Sequence, residues 1–283
     1  MKIGTLVESL KLPTEQGLEK AAALGLEGVQ LHVASGEHLV MEMSNDDIAS
    51  LREKCRDLGL EIASTCGDLG GFGFERAADN IARIPQMRRV VDVTRLLGCG
   101  IVTTHIGVIP SDRQAPQYEV MRAALAEIGA YAQSQGVRLA IETGPEPARV
   151  LRQFIEDTGS EAVKVNLDPA NMIMVLNEDP VESVAILGPH IIHTHAKDGV
   201  HLRACDPRKV YHAFAEGGFE KLLEETGLLF EETPLGQGQV DWPAYLAALR
   251  GAGFDGYLTI ERETGGDPAA DIAAAAAFLR KKI

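Results

Sequence analysis

The chain has 283 residues, 45% of them hydrophobic and 24% charged, an ordinary globular composition with ample length for one large core. Its formal net charge of −14 argues against a surface built for nucleic acid or anionic lipid. Four cysteines without paired spacing (Cys55, Cys66, Cys99, Cys205) indicate no disulfide framework, and the opening MKIGTLVESL turns polar too soon for a signal peptide. A soluble cytoplasmic protein with no membrane-spanning segment is expected.

Short β-rich runs alternate with helix-period segments from one end to the other. The strands are IGTLV from Ile3, GVQLHV from Gly28, LEIASTC from Leu60, IVTTHIG from Ile101, RLAIETG from Arg138, VKVNLD from Val163, IIHTH from Ile191 and YLTIERE from Tyr257. Between them SNDDIASLREKCRDLG reads as a helix with Ser44 as N-cap and Gly59 as its stop, and PQYEVMRAALAEIGAYAQSQG ends the same way at Gly136. CGDLGGFGFE from Cys66 is a glycine-rich loop without phosphate-loop spacing, placed to shape a cavity mouth. The stretch at about 199–240 exceeds a normal βα connection and carries its own helix pattern near HAFAEGGFEKLLEET, as a lid or dimer contact would. After it, PLGQGQVDW leads into a helix with Pro243 in its first turn. About eight β–α repeats in this length read as one (β/α)₈ TIM barrel domain, α/β in class and spanning 1–283. A doubly wound open sheet is disfavoured because no G-x-G-x-x-G follows the first strand.

Side chains two apart on a strand share a face. Leu139 and Ile141 lie opposite Ala140 and Glu142. Val163, Val165 and Leu167 lie opposite Lys164, Asn166 and Asp168. His193 and His195 share a face, and Leu258 and Ile260 oppose Thr259 and Glu261. The apolar faces should meet helices and the polar ones should point into the barrel, where they are costly unless paired or metal-bound. Each of the last four strands therefore ends in a metal-capable group, Glu142, Asp168, His195 and Glu261, on one arc of the catalytic face. Three carboxylates held together call for a cation, and oxygen-rich ligation with one imidazole suits Mn²⁺, Mg²⁺, Co²⁺ or Zn²⁺. His193, two residues earlier, is expected to support the site from the core.

The motifs AIETG, NLDPAN, HTHAKDG, PLGQGQVDW and YLTIERE resemble those of the xylose isomerase-like barrels, and within them the sugar phosphate isomerase/epimerase group, over nearly the whole chain. The resemblance implies one divalent ion on Glu142, Asp168, His195 and Glu261. In its ketose 3-epimerases the two glutamates exchange the proton, which gives Glu142 and Glu261 a catalytic role here. It also implies a small sugar as substrate and a homodimer or homotetramer. Two positions depart from the family pattern: Asn171 stands where many members have His, and Gln30 where the second strand often carries Glu.

His105, Asn171, Lys197 and Arg203 are the candidate substrate-binding residues. For His105 a plain barrel-mouth role is equally open, for Lys197 a pairing with Asp198 in the turn, and for Arg203 a solvated loop position. Glu224–Glu225 and Glu231–Glu232 read as solvated faces. The chemistry expected is isomerisation or epimerisation through an enediolate, with an inosose dehydratase-type lyase as the alternative. An endonuclease IV-like nuclease is a distant third, disfavoured by the acidic charge and by Asn171.

Overall fold

The computed structural model describes residues 1–35 and 39–283. Eight parallel strands close into a barrel: β1 (Lys2–Leu6), β2 (Gly28–His32), β3 (Glu61–Cys66), β4 (Ile101–Thr104), β5 (Arg138–Glu142), β6 (Val163–Leu167), β7 (Ile191–Ala196) and β10 (Tyr257–Ile260). Each pairs with its sequence neighbours in the barrel, and β1 closes the ring between β2 and β10. The helices outside are α1 (Thr14–Ala23), α2 (Asn45–Asp57), α3 (Ala77–Leu96), α4 (Pro116–Ser134), α5 (Ala148–Thr158), α7 (Pro180–Leu187), α10 (Trp242–Gly251) and α11 (Pro268–Arg280), with a single turn α6 (Pro169–Asn171) after β6. No described helix is long and apolar enough to cross a membrane.

The alternating pattern decides which face is which. Leu139, Ile141, Val163, Val165, Leu167, Leu258 and Ile260 are all buried in one core with Met121, Leu125 and Ile128 of α4 and Leu151 and Phe154 of α5. Burying each such side chain is worth roughly 1.5–3 kcal/mol, so a one-residue slip that turned a face inward would be prohibitive. Local signals set the ends. Ser44 and Asp47 form a reciprocal capping box on α2, and Gly59 and Gly136 take positive φ just past α2 and α4. Asp241 caps α10 and Pro243 lies in its first turn.

Between β7 and β10 the chain leaves the barrel. β8 (Asp198–His201) pairs antiparallel with β9 (Phe230–Thr233), and α8 (Pro207–Glu216) and α9 (Phe219–Thr226) lie between them, broken at Gly217–Gly218. The strand pair was not legible in the sequence, because DGVH is only four residues long and FEET carries two carboxylates in four residues. Asp198 staples this excursion down: its carboxylate accepts from the backbone N–H of Gly199, Gly236 and Val240 and from the Trp242 indole. The alternative reading of Lys197, a pair with Asp198 in the turn, therefore does not hold. Four donors claim Asp198, and Lys197 turns to other carboxylates. The reading of Glu232 as a solvated face is corrected too. Its carboxylate is buried, accepting from Arg262 at 2.6 Å and from the Glu263 N–H.

Candidate metal centre and cavity

Strand register brings the four candidate ligands together. Glu142 is opposite Asn166 on β6, Asn166 is opposite His193 on β7, and Thr259 on β10 is opposite His195. Glu142, Asp168, His195 and Glu261 each present one ligand atom within 4.8 Å of all the others. Nδ1 of His195 is 3.4 Å from Glu142 Oε1, 3.5 Å from Asp168 Oδ2 and 3.3 Å from Glu261 Oε2.

Each side chain is fixed from behind. Asp168 caps α6, with Oδ1 accepting from Ala170 and Asn171 N–H at 2.8 and 3.0 Å, while its buried Oδ2 has no hydrogen-bond partner. The Thr143 hydroxyl ties the Asp168 backbone to the end of β5. His195 donates Nε2–H to Gln30 Oε1 at 3.0 Å, and Gln30 donates in turn to Thr103 at 2.6 Å. That leaves Nδ1 facing the carboxylates as the ring atom a cation would take, the ring orientation being assigned from this network. Asn166 and Asn171 donate to the two oxygens of Glu142.

Below them His193 donates to Asn166 Oδ1 at 2.8 Å and accepts from Ser64 and Thr259 hydroxyls. Burial, then the neighbouring His195, holds its pKa well below the usual range. The barrel interior is thus polar and hydrogen-bonded, which is what makes it affordable to leave one carboxylate oxygen of Asp168 unpartnered.

The electrostatics show a cluster that attracts positive charge. Burial alone would depress His195, yet Glu261 and Glu142 outweigh it and raise the imidazole well above its usual value. Burial also works to raise Glu142, but His195 and His105 overcome it and hold the carboxyl below the usual range. For Glu261 burial wins, pushing it up to about 7 against His195 and Lys197. An orphaned buried oxygen, three carboxylates and one oriented imidazole fit a hard or borderline divalent cation.

The cluster opens into a cavity of about 360 Å³. Three of the four candidate substrate residues line it. His105 places Nε2 at 3.6 Å from Glu142, Asn171 bonds Glu142 and the Thr143 carbonyl, and Lys197 is buried at the rim of Glu261. The Lys197 ammonium donates to Glu261 at 3.0 Å and to Glu263, with Glu232 at 3.9 Å. Arg203 is not brought there. It is exposed, and its guanidinium donates to the Thr226 carbonyl within the excursion. Nor does Gln30 line the cavity, because it is wholly buried beneath His195.

Several lining residues were missed by sequence reasoning. Glu263 shares the face of Glu261 two residues on, a signal the strand alternation contained. Tyr211 and Phe214 stand three apart on α8, which is helical spacing, but nothing local says which way α8 faces. The Tyr211 hydroxyl sits where a side chain on Gly144 would have to go, so glycine there admits α8 to the site. Asp68 and the glycines at 70, 71 and 73 complete the mouth.

One buried group beside the cavity has a measurable consequence. Glu146, in the loop after β5, has both oxygens buried without a hydrogen bond, and burial pushes it up to about 8. Its proton is bound in the folded chain well above the ordinary 4.5. The stability it lends is full below that value and drains away as pH rises to about 8. Glu146→Gln should therefore match wild type near pH 5 and be more stable near pH 9, by up to roughly 4 kcal/mol. Thermal melts across that range check this; a difference that does not grow with pH contradicts it.

Known proteins share this fold. A family model described as "Xylose isomerase-like TIM barrel" matches residues 18–282. The fold is similar to a xylose isomerase domain protein from Planctomyces limnophilus, with TM-score 0.79, 26% identity, and coverage of 99% of this chain and 95% of that one. Among curated proteins, the chain is 26% identical over 239 residues to L-ribulose 3-epimerase of Mesorhizobium japonicum, covering 80% of this chain and 69% of the relative. It is 27% identical over 186 residues to 2-epi-5-epi-valiolone 7-phosphate 2-epimerase of an Actinoplanes species, covering 63% and 66%. The chain spans about half to two thirds of the length of the first curated relatives it matches, 52% and 66%.

Proposed function

This chain belongs to the xylose isomerase-like TIM barrel family, and on that premise we propose that it is a divalent-metal-dependent isomerase, an epimerase or aldose–ketose isomerase of a small sugar. The observation that carries the reading is the convergence of Glu142, Asp168, His195 and Glu261 at the strand ends that open into a cavity of monosaccharide scale. These four residues are the proposed ligands, for Mn²⁺, Mg²⁺, Co²⁺ or Zn²⁺. When bound, the ion supplies a Lewis acid that polarises a carbonyl and offsets the negative charge developing on its oxygen.

The chain's own groups do the proton work. One glutamate takes the proton from the carbon beside the carbonyl, and the other delivers one. Delivery to the opposite face of the same carbon gives the epimer, and return to the neighbouring carbon interconverts aldose and ketose. Lys197, itself held by Glu263 and Glu232, keeps Glu261 oriented and lowers the cost of its negative charge. Asn166 and Asn171 do the same for Glu142. His105, beside Glu142, is placed to bond a substrate hydroxyl. Tyr211 and Phe214 of α8 give the cavity an apolar wall beside these groups.

The test is incubation of metal-stripped and Mn²⁺-reloaded protein with a panel of ketoses in deuterated water. Metal-dependent deuterium incorporation beside the carbonyl, with an epimer or aldose as product, is expected. A dehydrated product in place of either, or no exchange with any sugar, overturns the reading.

A further inference from the structure

The lining of the cavity bears on a question the ligand set leaves open, whether the sugar carries charge. Resting on the isomerase reading above, we propose that the cavity selects an uncharged sugar and rejects its phosphate ester or acid, with Asp68 and Glu263 as specificity-determining residues.

The first ground is charge. Asp68, Glu142, Glu261 and Glu263 line the cavity, and Asp168 stands directly behind. Even with a divalent ion bound and both Lys197 and His105 charged, carboxylates outnumber positive charges. Lys197, the natural phosphate partner, is already engaged by Glu261 and Glu263 and has Glu232 within 3.9 Å. Among the described residues no arginine lines the cavity. Arg83, below the glycine loop, donates to the Leu69 and Gly70 carbonyls, and Arg208 on α8 donates to Gln117. The glycine loop is not an anion cradle either, because Asp68 Oδ1 already accepts from the Gly70 N–H at 2.9 Å. A phosphate dianion entering here meets repulsion and finds no bidentate donor.

The second ground is the rest of the wall. Away from the ligand cluster the lining includes Met174, Val175, Tyr211, Phe214 and Phe230. Phe214 stacks on Phe219 at 4.1 Å between ring centroids, and Phe219 stacks on Phe230 at 5.8 Å, so this face is a packed aromatic surface. The carbon skeleton of a free sugar can lie against such a face. A phosphate there would lose hydration with nothing to replace it.

The experiment compares D-fructose with D-fructose 6-phosphate, and L-ribulose with L-ribulose 5-phosphate, on Mn²⁺-loaded protein by calorimetric binding and by kcat/KM. Each free sugar should bind at least about tenfold more tightly than its ester, and the gap should narrow as salt screens the carboxylates. Asp68→Asn keeps the acceptor for Gly70, and Glu263→Gln keeps an oxygen for Lys197. The double variant should shift the ester-to-sugar ratio of kcat/KM towards the ester by about tenfold, whereas a merely structural role would lower both alike. Equal or tighter binding of the esters, no binding of either partner of both pairs, or an unchanged ratio in the double variant overturns the proposal. Selective binding of the free sugars without proton exchange in deuterated water would sink the isomerase reading alone and leave the charge preference standing.

Discussion

Asp168→Asn should abolish stoichiometric metal binding while leaving the barrel folded. The two oxygens of this carboxylate have separate jobs. Oδ1 caps α6 by accepting two backbone N–H groups, and Oδ2 is buried, unpartnered and directed at His195, Glu142 and Glu261. Asparagine retains the cap through its carbonyl oxygen but replaces Oδ2 by an amide with no anionic lone pair for a cation. Asp168→Ala removes both and should cost about a further 1 kcal/mol for the lost cap. Gln30→Leu leaves all four ligands in place yet frees the His195 ring, so a weakening of about 10–100-fold is expected rather than complete loss. Calorimetric titration with Mn²⁺, alongside thermal melts of the same preparations, separates these cases. Wild-type metal affinity in Asp168→Asn would refute the assignment of the four residues as ligands.

That ordering of effects reflects what a sequence can carry. The barrel was legible because its strands alternate cleanly: every second residue in RLAIE, VKVNL and YLTI is apolar and packs outward. The same alternation placed Glu142, Asp168, His195 and Glu261 on the inner face, where they lie together. Contacts made across the barrel left no such trace. Gln30 reaches His195 from 165 positions away, and Ser64 reaches His193 from 129. Neither spacing has a period that a local reading could detect.

The excursion between β7 and β10 was legible as an insertion but not as a surface. Its direction is set by Asp198 gripping the backbone at Gly236 and Val240 and by the fit of Tyr211 over Gly144. Arg203 was a substrate candidate on chemistry alone, with a solvated loop position equally open, and it is exposed. In the fold it closes the end of α9, because the terminal carbonyl of Thr226 needs a donor there.

Glu142→Gln and Glu261→Gln should each lower turnover by about 10²–10⁴-fold while metal is retained, which separates ligand from base in this site. Each substitution keeps one oxygen for ligation and removes the proton carrier. Neither is free of structural cost. Glutamine at 142 would set its amide against one of the two amide donors of Asn166 and Asn171, and at 261 against the Lys197 ammonium unless it turns its carbonyl there. Melting temperatures must therefore accompany the kinetics, so that a fold defect is not read as lost catalysis. Exchange with deuterated water then assigns the chemistry. In an epimerase the glutamates serve opposite faces of one carbon, so each variant retains exchange with only the epimer presented to its surviving glutamate. The two variants show opposite asymmetries. In an aldose–ketose isomerase that works on one face, a single glutamate is the base, so one variant is inactive and the other only impaired. Near-wild-type turnover by both variants on a confirmed substrate would remove the two glutamates from the proton path.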